Sequence, residues 1–233
     1  MDELEPHEAH HTVKLNWLRA AVLGANDGIV SIGALIFGIA GATSSDPIIL
    51  MTGVAGTIAG SLSMGVGEYV SVSSSRDTER ALLERERVEL KNSPEKELEE
   101  LVALYEKKGL SRETATIVAK ELTERDAFAA HVDAELRIDP ENLTNPSHAA
   151  IASTLSFIGG AIFPLLAMVL PPASIRIPVA FVSVLFILAV TGALSARVGG
   201  ANVPRAVARV VSGGALAMAI TYLVGLLFGI TVL

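Results

Sequence analysis

Residues 48–75 read IILMTGVAGTIAGSLSMGVGEYVSVSSS, and 76–92 follow without a break as RDTERALLERERVELKN. The first stretch exceeds the roughly 20 apolar residues a helix needs to cross a hydrocarbon core, and Glu68 is its single charged residue. No proline or turn signal separates the two stretches. The reading is therefore one helix that leaves a bilayer and continues into water. It stops at Asn92-Ser93-Pro94, because proline lacks the N–H that would continue the ladder.

Four more tracts of spanning length lie around it, at 18–42, 149–170, 177–196 and 206–233. The chain is 51% hydrophobic with a mean hydropathy of +0.50, although 18% of its residues are charged. The charges are segregated: 18 of the 25 acidic residues lie between Asp77 and Glu141, and 12 of the 18 Lys and Arg between Arg76 and Arg137. This pattern excludes a soluble enzyme and a basic nucleic-acid binder, and the absence of cysteine excludes a disulfide-stapled secreted domain. The expected fold is an all-α integral membrane protein with five transmembrane helices and an acidic three-helix insert between spans two and three. The expected divisions are an N-terminal tail at 1–17, spans one and two at 18–75, the insert at 76–145, and spans three to five at 146–233.

Orientation follows from loop charge, since cytoplasmic loops carry the excess of Lys and Arg. With five spans, Lys14, Arg19, the insert cations, Arg197, Arg205 and Arg209 share one side, and Arg176 stands alone on the other. The N-terminus and insert are expected in the cytoplasm and the C-terminus outside. The acidic start Met1-Asp2-Glu3 is unlike a signal peptide, and no transit peptide is visible. The compact chain fits a prokaryotic cytoplasmic membrane. Within the insert, Ser93-Pro94 opens a second helix ending at Gly109, and Ser111 caps a third running towards Leu136.

Asp27 lies nine residues inside span one. An ionisable residue at such a depth is costly and is a functional candidate by default. At 1.5 Å per residue it sits about 13 Å from the cytoplasmic start of the span, and Met64 of the antiparallel span two sits about 12 Å from the same face. Glu68 is one turn nearer the cytoplasm on the Met64 face. A carboxylate, a thioether and a second carboxylate make a column of cation ligands, and the thioether tilts it towards a transition metal. Each residue also has a plain structural reading: Asp27 holding backbone amides, Met64 as apolar packing, Glu68 as an interfacial carboxylate. Gly24, Gly28, Gly53, Gly56, Gly60, Ser61, Gly65 and Gly67 leave room for close helix approach. Two crossing helices cannot line a pore alone, which points to a homodimer.

In the insert, Glu86 and Glu89 precede the turn and Glu97 and Glu100 follow it, symmetrically about Ser93. An antiparallel hairpin would set Glu89 opposite Glu97 and Glu86 opposite Glu100. Facing carboxylates repel unless a cation or protons lie between them. His131 and Glu135, four apart on the third helix, add a nitrogen and an oxygen, a set that suits Fe(II), Mn(II) or Zn(II). The alternative is a solvated face neutralised by Arg85, Arg87, Lys91 and Lys96. The tail His7-Glu8-Ala9-His10-His11 is a further, weaker place for metal, read here as an acidic disordered tail.

These residues carry a family resemblance. Asn26-Asp27-Gly28-Ile29-Val30, Ser61-Leu62-Ser63-Met64-Gly65-Val66-Gly67-Glu68-Tyr69 and the glutamate-rich insert resemble the vacuolar iron transporter family over nearly the whole chain from Leu18. The resemblance implies a five-span homodimer with a path at the subunit interface that uses Asp27 and Met64. It implies export of Fe(II) and Mn(II) from the cytosol in exchange for protons, and metal collection by Glu86, Glu89, Glu97, Glu100 and Glu135. Plant members carry acidic residues where Ala20 and Gly56 stand here, and a Met-Met pair where His131-Val132 stands. Glu68 is a candidate for the missing carboxylate.

The function expected from the sequence is a proton-coupled transporter of Fe(II), with Mn(II) as a second cargo and Zn(II) a third occupant of the insert. No permanently bound cofactor, no enzyme activity and no nucleic-acid partner are expected. Its partners are metal ions, protons, the bilayer and a second copy of the chain. The rival readings are a membrane-anchored ferritin-like oxidase and a sensing or structural membrane protein.

Overall fold

The computed structural model describes the backbone of residues 10–232 and the side chains of 21–229. Residues 1–9 of the expected tail, with His7, and the side chains of His10, His11, Lys14 and Arg19 lie outside those residues, whereas the backbone of 10–17, expected as the end of a disordered tail, is the first part of a helix. Among the described residues the chain is all helix: α1 His10–Ala42, α2 Asp46–Asn92, α3 Pro94–Lys107, α4 Arg112–His131, a π-helical turn Val132–Leu136, α5 Pro146–Val169, α6 Arg176–Val198 and α7 Val203–Val232. Five of these helices are long and apolar enough to cross a membrane, and α2 is a single helix of 47 residues. The chain forms two compact units. One comprises residues 1–70 with 146–233, the other 71–145.

In the first unit α1 is central and packs against α5, α6 and α7. Its Ile29, Ile32, Ile36 and Phe37 meet Phe157, Ala161, Met168, Val184, Leu188 and Met218 in one apolar core. α1 and α5 cross with their backbones almost touching. A Cβ on Gly28 would run into the Phe157 carbonyl, and one on Gly160 into the Ala25 carbonyl. Between apolar helices in lipid, this van der Waals fit of small residues supplies association that the hydrophobic effect cannot.

The glycines of α2 do similar work. Gly53 faces Leu165 and Ile36, Gly56 faces Leu35, Gly60 faces Phe157 and Gly65 faces Thr154, whereas Gly67 looks into open space. The opposite stripe of α2 leaves Met51, Ile58, Leu62, Val66 and Val70 exposed. At one end of this unit Arg176, which opens α6, makes a two-pronged ion pair with Asp46, which opens α2. Arg176, which sequence reading set apart from the other cations, thus has a partner that the same reading left unassigned.

The second unit holds the end of α2, α3 and α4 around Leu101, Val102, Ala115, Ala119, Ala130 and Ala134. α3 starts at Pro94, as proline at a first helical position should. It ends two residues before Gly109, whose φ of +101° is open to glycine at little cost. Ser93 receives the first turn through its carbonyl, and its side chain makes no cap. The Ser111 hydroxyl does cap α4, accepting from the Thr114 amide at 3.3 Å.

The third insert helix differs from the single run expected. At Asp126 the backbone is extended, with φ −164° and ψ 97°. The Asp126 carboxylate accepts from the Ala129 amide at 3.0 Å and caps a fresh segment. That segment carries His131 and passes into the π-helical turn, which Arg137 closes at φ 53°. The change in helical pitch falls where His131 and Glu135 are presented. π turns are frequent at functional sites.

Candidate metal centre

Three arms bring the insert's ligand-type residues together: Glu86 from α2, Glu97 from the first turn of α3, and His131 from the recapped end of α4. All three are buried, with His131 fully so and Glu86 3% exposed. One ligand atom from each lies within 4.8 Å of the others. His131 Nδ1 is 3.0 Å from Glu86 Oε1, 3.9 Å from Glu135 Oε2 and 4.0 Å from Glu97 Oε2.

The shortest of these contacts does not have hydrogen-bond geometry. Glu86 Oε1 and both ring nitrogens of His131 are buried without a hydrogen-bond partner. Leaving buried polar atoms in that condition costs about 1–3 kcal/mol each, so the arrangement calls for something that satisfies them together. Two ligand atoms bound at about 2.1 Å and at right angles to one cation stand about 3 Å apart, which is the spacing of His131 Nδ1 and Glu86 Oε1, while Glu97 and Glu135 stand farther off.

The electrostatics agree. Burial, and then the carboxylates of Glu135, Glu97, Glu89 and Glu100, push the Glu86 carboxyl up to about 7. Burial also raises Glu97, and Glu100 adds to it while His131 opposes it. Without a cation both shifts favour the protonated carboxyls over the anions, and a divalent ion can take the protons' place.

Glu89, Glu100 and Glu135 line the same cavity of about 180 Å³ with Glu86 and Glu97. Glu89 is half-buried and pairs with Arg85 at 3.0 Å, while Glu100 and Glu135 are exposed. The expected cross-pairing of Glu86 with Glu100 and Glu89 with Glu97 is replaced by a Glu86–Glu97–His131 nucleus with the other three around it. α3 turns Glu97 inward, and Glu100, three positions on, falls towards solvent. Of the cations that offered neutralisation, Arg85 serves Glu89. Arg87 turns instead to Glu84 at 3.4 Å and to the face of Phe128.

In the other unit Asp27 is exposed on α1 and accepts a hydrogen bond from the Ser31 hydroxyl one turn along. Its neighbour Asn26 points the other way and accepts from Thr191 of α6 at 2.8 Å. Met64 is partly buried and packs against the apolar core, and Glu68 is half-buried. Sequence reasoning missed Ser31, Thr191, Asp46 and the Asp126 cap. The signal for Ser31 was present in its position four residues after Asp27, on the same helix face.

A helical chain with five helices of spanning length is the build of an integral membrane protein, and its buried Glu86–Glu97–His131 group has the ligand types and spacing that could hold a metal ion. The chain belongs to the VIT family, whose sequence pattern matches residues 18–226. It is 46% identical over 212 residues to a vacuolar iron transporter of Acanthamoeba castellanii, covering 91% of this chain and 78% of that protein. It is 35% identical over 221 residues to vacuolar iron transporter homolog 1 of Oryza sativa, covering 94% and 77%. Vacuolar iron transporter homolog 2.1 of Arabidopsis thaliana is 35% identical over 219 residues, covering 94% and 84%.

Proposed function

We propose that this protein moves Fe(II), and Mn(II) as a second cargo, out of the cytoplasm in exchange for protons. Membership of the VIT family and relatives named as iron transporters support metal transport as the activity and iron as the cargo. The observation that carries the reading is the buried Glu86–Glu97–His131 group, whose atoms lack hydrogen-bond partners yet stand at ligand spacing. In this reading the five long helices cross the membrane and the insert faces the cytoplasm. Glu86, Glu97 and His131 take up the ion there, with Glu89, Glu100 and Glu135 gathering it at the cavity. Fe(II) is the cargo that two carboxylates and an imidazole suit.

The ion then passes Glu68 and reaches Asp27 and Met64 of two subunits. Asp27 is exposed on a single protomer while its neighbour Asn26 is tied inward, which supports a path bounded by a second copy. Ser31 fixes the Asp27 carboxylate on that outer face. A carboxylate binds metal only when deprotonated, so a proton arriving from outside at Asp27 or Glu68 releases the ion and couples the two flows.

Anaerobic Fe(II) uptake into proteoliposomes with an imposed pH gradient tests this. Uptake that depends on the gradient and vanishes in Asp27→Ala is the expected result. Uptake indifferent to the gradient would remove the antiport, and equal uptake in the variant would take Asp27 off the path.

A further inference from the structure

On the α2 face that carries Arg76, Arg80, Glu84 and Arg87, the insert has a second, wider pocket of about 480 Å³, closed on its other side by Pro140, Glu141 and Leu143. Its chemistry is opposite to that of the metal cavity. Arg76, Arg80, Leu83 and Arg87 follow one another at helical spacings of four, three and four, so they share one face. Leu83 is buried beneath them.

The three guanidiniums are not equivalent. Arg87 is engaged by Glu84 and by the Phe128 ring. Arg76 and Arg80 form no ion pair among the described residues, although acidic residues are abundant nearby. The Arg76 Nε atom is buried with no acceptor. A buried guanidinium N–H without an acceptor is the feature that a bound oxyanion would satisfy.

Location narrows the class of anion. α2 is continuous, and Arg76 is the first charge after its apolar run ends at Ser75, with Arg80 one turn, about 6 Å, farther out. If α2 crosses the bilayer, as the proposed function has it, these two arginines emerge at the depth of the lipid phosphates on the insert side. Arginine recognises phosphate through its planar fork of donors, and basic residues just cytoplasmic of a spanning helix attract anionic lipid.

We propose that the Arg76–Arg80 end of this pocket is a phosphate site, filled in the membrane by the headgroup of an anionic phospholipid. The site holds the start of the insert to the membrane surface without touching the metal ligands. It rests on α2 being a membrane helix and not on any transport step.

Native mass spectrometry of the full chain in detergent tests it, with phosphatidylglycerol, phosphatidylcholine or inorganic phosphate as the added probe. The expected result is phosphatidylglycerol retained over phosphatidylcholine by about tenfold, and that preference lost in Arg76→Gln/Arg80→Gln. Displacement of the lipid by inorganic phosphate also supports the site and makes free phosphate an equal occupant. Equal retention of the two lipids, or a preference unchanged in the double variant, overturns it. Arg80→Gln alone, at an exposed residue, serves as the variant least able to disturb folding, and it should lose part of the preference. Because no flux is read, a failure of iron transport leaves this result standing, and the reverse holds too.

Discussion

The two units treat their carboxylates in opposite ways. In the insert, Glu86 and Glu97 are buried against His131 inside one chain, and their protonation is shifted by that burial. In the membrane-type unit, Asp27 is exposed with a single hydroxyl partner, while its apolar neighbours and Asn26 do the packing. The insert therefore assembles its ligand-type groups within one protomer, and in the proposed function a lone protomer can fill them. Among the described residues of its own chain Asp27 has no such enclosure, and in the proposed function a second subunit supplies it.

That contrast can be broken most sharply at the ligands. Glu86→Gln/Glu97→Gln keeps the shape and removes two anionic ligands. Fe(II) or Mn(II) affinity of the insert, read by calorimetry, should fall by about 100-fold or more, since loss of even an outer partner costs 10–100-fold. Unchanged affinity would mean that the buried cluster is structural.

The converse perturbation lies in the other unit. Gly28→Val places a side chain against the Phe157 carbonyl, and overpacking of this kind costs about 1–3 kcal/mol. A lowered melting temperature with metal affinity of the insert unchanged is the expected outcome. Loss of metal binding at temperatures where the variant is folded would show that the units are not independent.

A smaller, pH-dependent effect sharpens the insert side. The folded Glu86 carboxyl titrates near 7, above its ordinary 4.5. Between those values the folded state holds a proton that the unfolded state has released, so metal-free stability falls as pH rises from about 4.5 through 7. Metal competes with that proton, so affinity should climb over the same interval and level off above it. Thermal melts with and without Mn(II) from pH 5 to 8 check both signs. A metal-free stability that rises with pH across the interval contradicts them.

The smallest effect is expected at the surface. Arg112 bridges Glu99 and Glu106 on the insert exterior, with Arg112 and Glu99 exposed and Glu106 half-buried. Exposed pairs are worth about 0–1 kcal/mol, so Arg112→Ala should shift stability by no more than that in a denaturant titration.

The same contrast explains what the sequence disclosed. Long apolar runs and segregated charge made the all-helical fold with long apolar helices legible, because hydrophobic length is a local property. Pro94, Gly109 and Ser111 marked the insert's turns for the same reason. The six insert residues were legible as a set from spacing, but the inner trio was not. Which glutamates turn inward depends on how α3 rotates against α2, and on the break at Asp126 that aims His131. Asp126 reads as an ordinary surface residue of a helix until its carboxylate is seen capping Ala129. The Asp46–Arg176 pair was hidden because it joins positions 130 residues apart.

The division of labour is tested most directly by the concentration dependence of Fe(II) flux into proteoliposomes, for the unmodified protein and Glu86→Gln/Glu97→Gln, with Asp27→Asn as reference. An insert that collects ions for a path through Asp27 predicts a raised half-saturating concentration with the maximal rate largely kept in the glutamate variant, and no flux at any concentration in Asp27→Asn. A glutamate variant with an unchanged half-saturating concentration, or an Asp27→Asn protein that still transports at saturation, would contradict it.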